Sequence, residues 1–133
     1  MRHKREIPAG TLHKSGEDFL EAILMLQQSK GSVRAVDVGN LLNYSRPSVS
    51  NAVSVLKDAG YLTVDSDHLL HLTDEGRAIA ERIYERHRFF TDFFTSIGVD
   101  PHQAETDACQ MEHAISTESF DKLKDFLKDY PRK

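Results

Sequence analysis

Five consecutive residues, Cys109-Gln110-Met111-Glu112-His113, carry the densest chemistry in the chain. Positions i, i+3 and i+4 share one face of a helix, so a thiolate, a carboxylate and an imidazole converge where one divalent cation could take all three. Three donors rarely close a metal site, so more must come from elsewhere. The candidates are Asp18 and Glu21, an i, i+3 carboxylate pair, and His87 in the run YERHRFF. Each also has a plainer reading: Asp18 as a helix-capping partner, Glu21 as a solvated carboxylate, His87 as a core or interface histidine. Three separated donor clusters in a chain with little other buried polarity favour the metal. His68 and His71 in a hairpin, His102 near a helix start, and His3 and His13 in the amino-terminal arm are expected to take no part.

The second constellation is AVDVGNLLNYSRPSVSNAVSVLKDAGYL, which has the layout of a helix-turn-helix: a short support helix, a tight turn, and a second helix with a small, polar exposed face. Ser45, Arg46, Pro47, Ser48, Ser50 and Asn51 lie toward the start of that second helix, where backbone N–H groups favour phosphate. Small side chains let a helix sit deep in a major groove, Asn51 can pair with adenine, and Arg46 can reach guanine or phosphate. Arg34 and Lys57 are expected to touch the DNA backbone.

The elements that must position these residues follow from periodicity and caps. Ser15, with Asp18 three residues on, is the expected cap of a first helix carrying Phe19, Leu20, Ile23, Leu24 and Leu26 and ending at Gly31. Val33 to Val36 is an extended lead-in and Asp37 to Leu42 a short helix, followed by a turn at Asn43 and Tyr44. Ser45 caps the next helix, whose buried face is Val49, Val53, Val55 and Leu56. Tyr61 to Val64 and Leu69 to Leu72 read as strands flanking the turn Asp65-Ser66-Asp67, which makes a wing. Thr73 caps one long helix reaching Ile97, with a stripe of Ile79, Ile83, Phe90, Phe93 and Phe94. Pro101 opens a helix to about Ala114, and Thr117 caps a last one. The cluster of Phe89, Phe90, Phe93 and Phe94 suits either a dimer interface or an intrachain core.

The expected fold is therefore mainly α with a small β-hairpin. A winged helix-turn-helix with a basic amino-terminal arm occupies residues 1–72, and an all-helical dimerisation and metal-binding domain occupies 73–133. The net charge of −4 conceals an asymmetry, +2 over residues 1–60 and −6 over 61–133. A mildly basic front can face phosphate while an acidic rear holds cations. One cysteine excludes an internal disulfide, and neither a membrane-length apolar stretch nor a signal-peptide core is present, so a cytoplasmic protein without membrane contact is expected.

With EDFLEAILML, YSRPSVSNAV, YERHRFF, SIGVD and ACQMEHAIS in register, the chain resembles the diphtheria toxin repressor family of metal-dependent transcriptional regulators, and within it the short manganese branch. The resemblance runs from about Ser15 to Leu127. It implies metal ligation by Asp18, Glu21, His87, Glu112 and His113. At Cys109 the manganese branch has a carboxylate, whereas the iron-responsive branch has a cysteine followed by the same x-x-Glu-His. That branch in turn has methionine where this chain has Asp18. The site thus reads as a hybrid, taking Mn2+ or Fe2+, with Co2+ or Zn2+ open to it because thiolate is softer than carboxylate. Glu105 falls at an ancillary-site position of the iron branch with a different residue type. The family's carboxy-terminal SH3-like domain is expected to be absent.

The function expected is metal-activated binding of a homodimer to palindromic operator DNA, repressing genes of manganese or iron homeostasis. A winged-helix regulator sensing a small organic ligand is the alternative. A zinc hydrolase is the more distant one, since C-x-x-E-H is similar to an inverted H-x-x-E-H motif. Catalysis needs an open metal position and a substrate cleft, which nothing in the chain suggests, so no enzyme is expected.

Overall fold

A computed structural model describes residues 14–128; the expected basic arm, with His3 and His13, lies outside them. The described residues form two compact units, 14–82 and 83–128, and the fourth helix contributes to both.

The first unit holds α1 (Lys14–Lys30), α2 (Ala35–Leu42), α3 (Arg46–Asp58), β1 (Leu62–Val64), β2 (Leu70–Leu72) and the start of α4 (Asp74–Ser96). Helix α1 packs on α2, α3 and β2, and buries Phe19, Leu20, Ile23 and Leu24 as its spacing predicts. Ser15 is not its cap: it already lies in the first turn of the helix. The extended lead-in is shorter than expected, because α2 begins at Ala35. Asp37 accepts the Arg34 backbone N–H at 2.9 Å and so closes the first turn early.

Asn43 ends α2 in the left-handed region at φ 60°, a conformation asparagine tolerates, and so makes the tight turn into α3. Ser45 caps α3 by accepting from Ser48 N at 3.2 Å. Gly39 is required by the crossing of the two helices, since a Cβ there would stand 2.9 Å from Val49 Cγ2. Val49 and Leu56 are buried as expected, but Val55 is 53% exposed and does not belong to the core.

Strands β1 and β2 pair antiparallel with Leu62 opposite Leu72 and Val64 opposite Leu70. Val33 and Arg34 join their edge, through Leu70 N to Val33 O at 2.8 Å and a bridge between Arg34 and Leu69. Thr73 caps α4, its hydroxyl oxygen accepting from Gly76 N at 3.1 Å and its O–H donating to Gly60 O at 2.7 Å. Gly76 lies so close to β1 that a Cβ there would collide with the Tyr61 carbonyl.

The second unit contains the rest of α4, α5 (Pro101–Met111) and α6 (Thr117–Leu127). Asp100 caps α5 ahead of Pro101, and Ser116, rather than Thr117, caps α6. Helix α5 ends at Met111, earlier than expected. Phe90, Ala108 and Phe120 form the core, with Phe89, Phe94, Ile115 and Leu123 packed against it, so the core reading of the phenylalanine cluster holds for Phe89, Phe90 and Phe94. Among the described residues no helix is long and apolar enough to cross a membrane.

Candidate metal centre and DNA-reading face

In the second unit, Glu112 stands at the C-cap of α5 and is fully buried. Its Oε1 lies 2.8 Å from His87 Nδ1 on α4, and its Oε2 lies 3.2 Å from His113 Nε2. The second contact has ion-pair distance but not hydrogen-bond geometry, so Glu112 Oε2 is a buried oxygen without a hydrogen bond. A carboxylate buried this way is costly unless a cation answers it. Two imidazoles and a carboxylate also suit a borderline divalent transition metal. On both counts these residues fit the expected ion.

Glu105, about two helical turns before Glu112, is two-thirds exposed and reaches His87 Nε2 at 3.5 Å. Cys109 is half-buried and reduced on the same helix. In the first unit, Asp18 and Glu21 follow one another on α1; Glu21 is 7% exposed, and Asp18 pairs with Lys14 at 3.0 Å. His71 is engaged in the wing with Asp65, while His68 and His102 are exposed.

The DNA-reading candidates sit on and around α3. Arg46, Pro47, Ser48, Ser50, Asn51 and Lys57 are exposed. Ser45 is also exposed, but its hydroxyl is engaged in the cap and with Ser48 Oγ at 3.0 Å. Ser54, which sequence reasoning passed over, is exposed one turn beyond Ser50 and Asn51 and extends their face. Arg34 has a role that sequence reasoning did not give it: its Nη1 donates to the Asp67 carbonyl at 2.8 Å and so ties the wing to the start of α2. At the wing tip Asp65 Oδ1 accepts from Asp67 N and Leu69 N at 2.8 and 3.0 Å, and Oδ2 lies 2.8 Å from His71 Nε2.

Two family models together match most of the chain. Residues 11–69 match the iron dependent repressor N-terminal DNA binding domain, and residues 73–133 match the iron dependent repressor metal binding and dimerisation domain. The chain is 35% identical over 113 residues to the HTH-type transcriptional regulator MntR of Shouchella clausii, covering 85% of this chain and 79% of that protein. The chain belongs to the iron-dependent, or diphtheria toxin, repressor family.

The MntR of Lysinibacillus sphaericus is 33% identical over 85% of this chain and 81% of its own length. Among solved structures, the manganese regulator SloR superposes with a TM-score of 0.76 at 25% identity, covering 87% of this chain. This chain spans about half of SloR, 54% of its length. Beside the family's two halves, one residue stands out that sequence reasoning missed. Arg86 is 3% exposed and donates to the carbonyls of Glu112 and Ile115. An arginine next to a histidine in a charged run gives no sequence signal of burial; its only hint is the three-residue step to the buried Ile83 and the four-residue step to Phe90.

Proposed function

We propose that this repressor is activated by a divalent metal, Mn2+ or Fe2+, held by Asp18, Glu21, His87, Cys109, Glu112 and His113, and that the loaded homodimer binds operator DNA to control metal homeostasis. The observation that carries the reading is Glu112, buried between His87 and His113 with one oxygen lacking a hydrogen bond. When bound, the ion supplies positive charge to a set of acidic and imidazole donors. Asp18 and Glu21 belong to the half that carries the reading helix, and His87, Cys109, Glu112 and His113 to the helical half. Donors in both halves that answer to one ion couple its capture to the placement of the reading heads. A coupling of about 1–3 kcal/mol, roughly 5–150-fold in affinity, is enough to switch occupancy.

Pro47, Ser50, Asn51 and Ser54 read base edges in the major groove, while Arg46, Ser48 and Lys57 reach phosphate. Ser45 starts the reading helix, and Arg34 holds the wing. Glu105 orients His87. The small-organic-ligand alternative gains no support from a site built of carboxylates and imidazoles. The same donor set serves regulation without catalysis, in the cytoplasm.

The test is an operator mobility shift under anaerobic, reducing conditions, with Mn2+, Fe2+, Co2+ and Zn2+ titrated separately. His113→Ala should abolish metal activation, and Asn51→Ala should weaken binding at every metal concentration, by about 1–3 kcal/mol for a lost bidentate base contact. Equal metal responses in wild type and His113→Ala would contradict the assignment.

A further inference from the structure

Glu112 and His113 occupy an awkward place for residues that must hold an ion in fixed geometry. Helix α5 stops at Met111, Glu112 is its C-cap, and α6 is not capped until Ser116. Glu112 N and Ala114 N still donate back to Ala108 O and Met111 O, but the last carbonyls of a helix have no partners in the helix itself and must find them elsewhere.

Arg86 supplies that support. Its guanidinium Nη1 donates to Glu112 O at 3.2 Å and to Ile115 O at 2.6 Å, and its Nη2 donates to Thr117 Oγ1 at 3.2 Å. The guanidinium also stacks 5.3 Å from the centre of the Phe120 ring, which anchors it to the core. The next residue, His87, reaches the Glu112 carboxylate at 2.8 Å. Consecutive side chains of α4 therefore grip Glu112 at both ends, the carbonyl by Arg86 and the carboxylate by His87.

We propose that Arg86 is the positioning residue of the metal centre: its fork across the 112–117 connection sets where the donor atoms of Glu112 and His113 stand, and hence how tightly and with what geometry a divalent ion is held. This rests on the metal-activated reading above. A planar guanidinium can serve two carbonyls and a hydroxyl at once, whereas a lysine ammonium keeps the charge but loses the fork. Groups that orient metal ligands typically contribute about 10–100-fold in metal affinity.

The experiment compares wild type, Arg86→Lys, Thr117→Val and His113→Ala by anaerobic competition titration with Mn2+ and Co2+, together with the Co2+ ligand-field absorption spectrum and thermal melting. Arg86→Lys should bind both ions about 10–100-fold more weakly and shift the Co2+ bands. Thr117→Val removes the contact to the Thr117 hydroxyl without touching the cap of α6, which Ser116 provides. It should move affinity and bands in the same direction by less, and it carries the test if Arg86→Lys does not fold. A lowered melting temperature with wild-type affinity and an unaltered Co2+ spectrum in both variants would overturn the positioning role. Failure of the wild type to bind either ion, or binding by His113→Ala equal to wild type, would instead overturn the metal reading itself.

Discussion

Glu112 shows most plainly how one side chain defines this molecule's chemistry. Its spacing from Cys109 and its adjacency to His113 were legible in the sequence, because helical periodicity alone puts those donors on one face. Its complete burial and its bond to His87 were not, because they depend on the end of one helix meeting the middle of another 25 residues away. As a proposed ligand, Cys109 would add a soft thiolate to carboxylates and borderline imidazoles. Replacing its thiol by a carboxylate, Cys109→Asp, should raise the preference for Mn2+ relative to Zn2+ and Co2+ in competition titrations. An unchanged ratio of Mn2+ to Zn2+ and Co2+ affinities would show that the thiol is not a ligand. Asp65 makes a separate residue-scale prediction. The hydrogen bond with His71, followed by those from the Leu69 and Asp67 backbone, lowers its carboxyl from 3.8 to about 2. Since the folded value lies below the unfolded one, the ionised wing tip is favoured at all pH above about 4, and that contribution is lost as pH falls from about 4 through about 2. An NMR titration of the Asp65 carboxyl should find its midpoint near 2; a midpoint near 4 would mean that the wing-tip bonds do not persist in solution.

At the scale of elements, the helix-turn-helix was readable from its punctuation. Ser45 caps α3, Pro47 fits its first turn, and Thr73 caps α4, each through local chemistry that needs no distant partner. Ser15 and Thr117 misled for the same reason: a hydroxyl residue within one or two positions of a helix start is a plausible cap, and only the backbone path decides which is used. Arg34 was legible only as an exposed arginine beside a reading head; its tie to the Asp67 carbonyl was not, because it spans 33 residues of sequence. The tight crossing of α2 and α3 is likewise invisible before folding. Gly39→Ala would press a methyl against Val49, a β-branched side chain with little rotamer freedom, and should cost about 1–3 kcal/mol in urea unfolding. Combining it with Val49→Ala should cost less than the two single losses added together. Simple additivity would show that the crossing is not set by this contact.

For the whole molecule, a modestly basic front half and an acidic rear half assign phosphate to one end of the sequence and cations to the other. Both matched family models follow that division, with DNA binding assigned to residues 11–69 and metal binding and dimerisation to residues 73–133. What makes the protein a switch is the thermodynamic link between the two. Linkage is reciprocal, so whatever factor the metal contributes to operator affinity, the operator must contribute to metal affinity. The decisive measurement is therefore the Mn2+ or Fe2+ dissociation constant of the protein with and without saturating operator, set beside the operator dissociation constant with saturating metal and with chelator. The two ratios should agree, falling at roughly 5–150-fold, and both should collapse to one in His113→Ala. Operator affinity untouched by chelator in the wild-type protein would contradict the account.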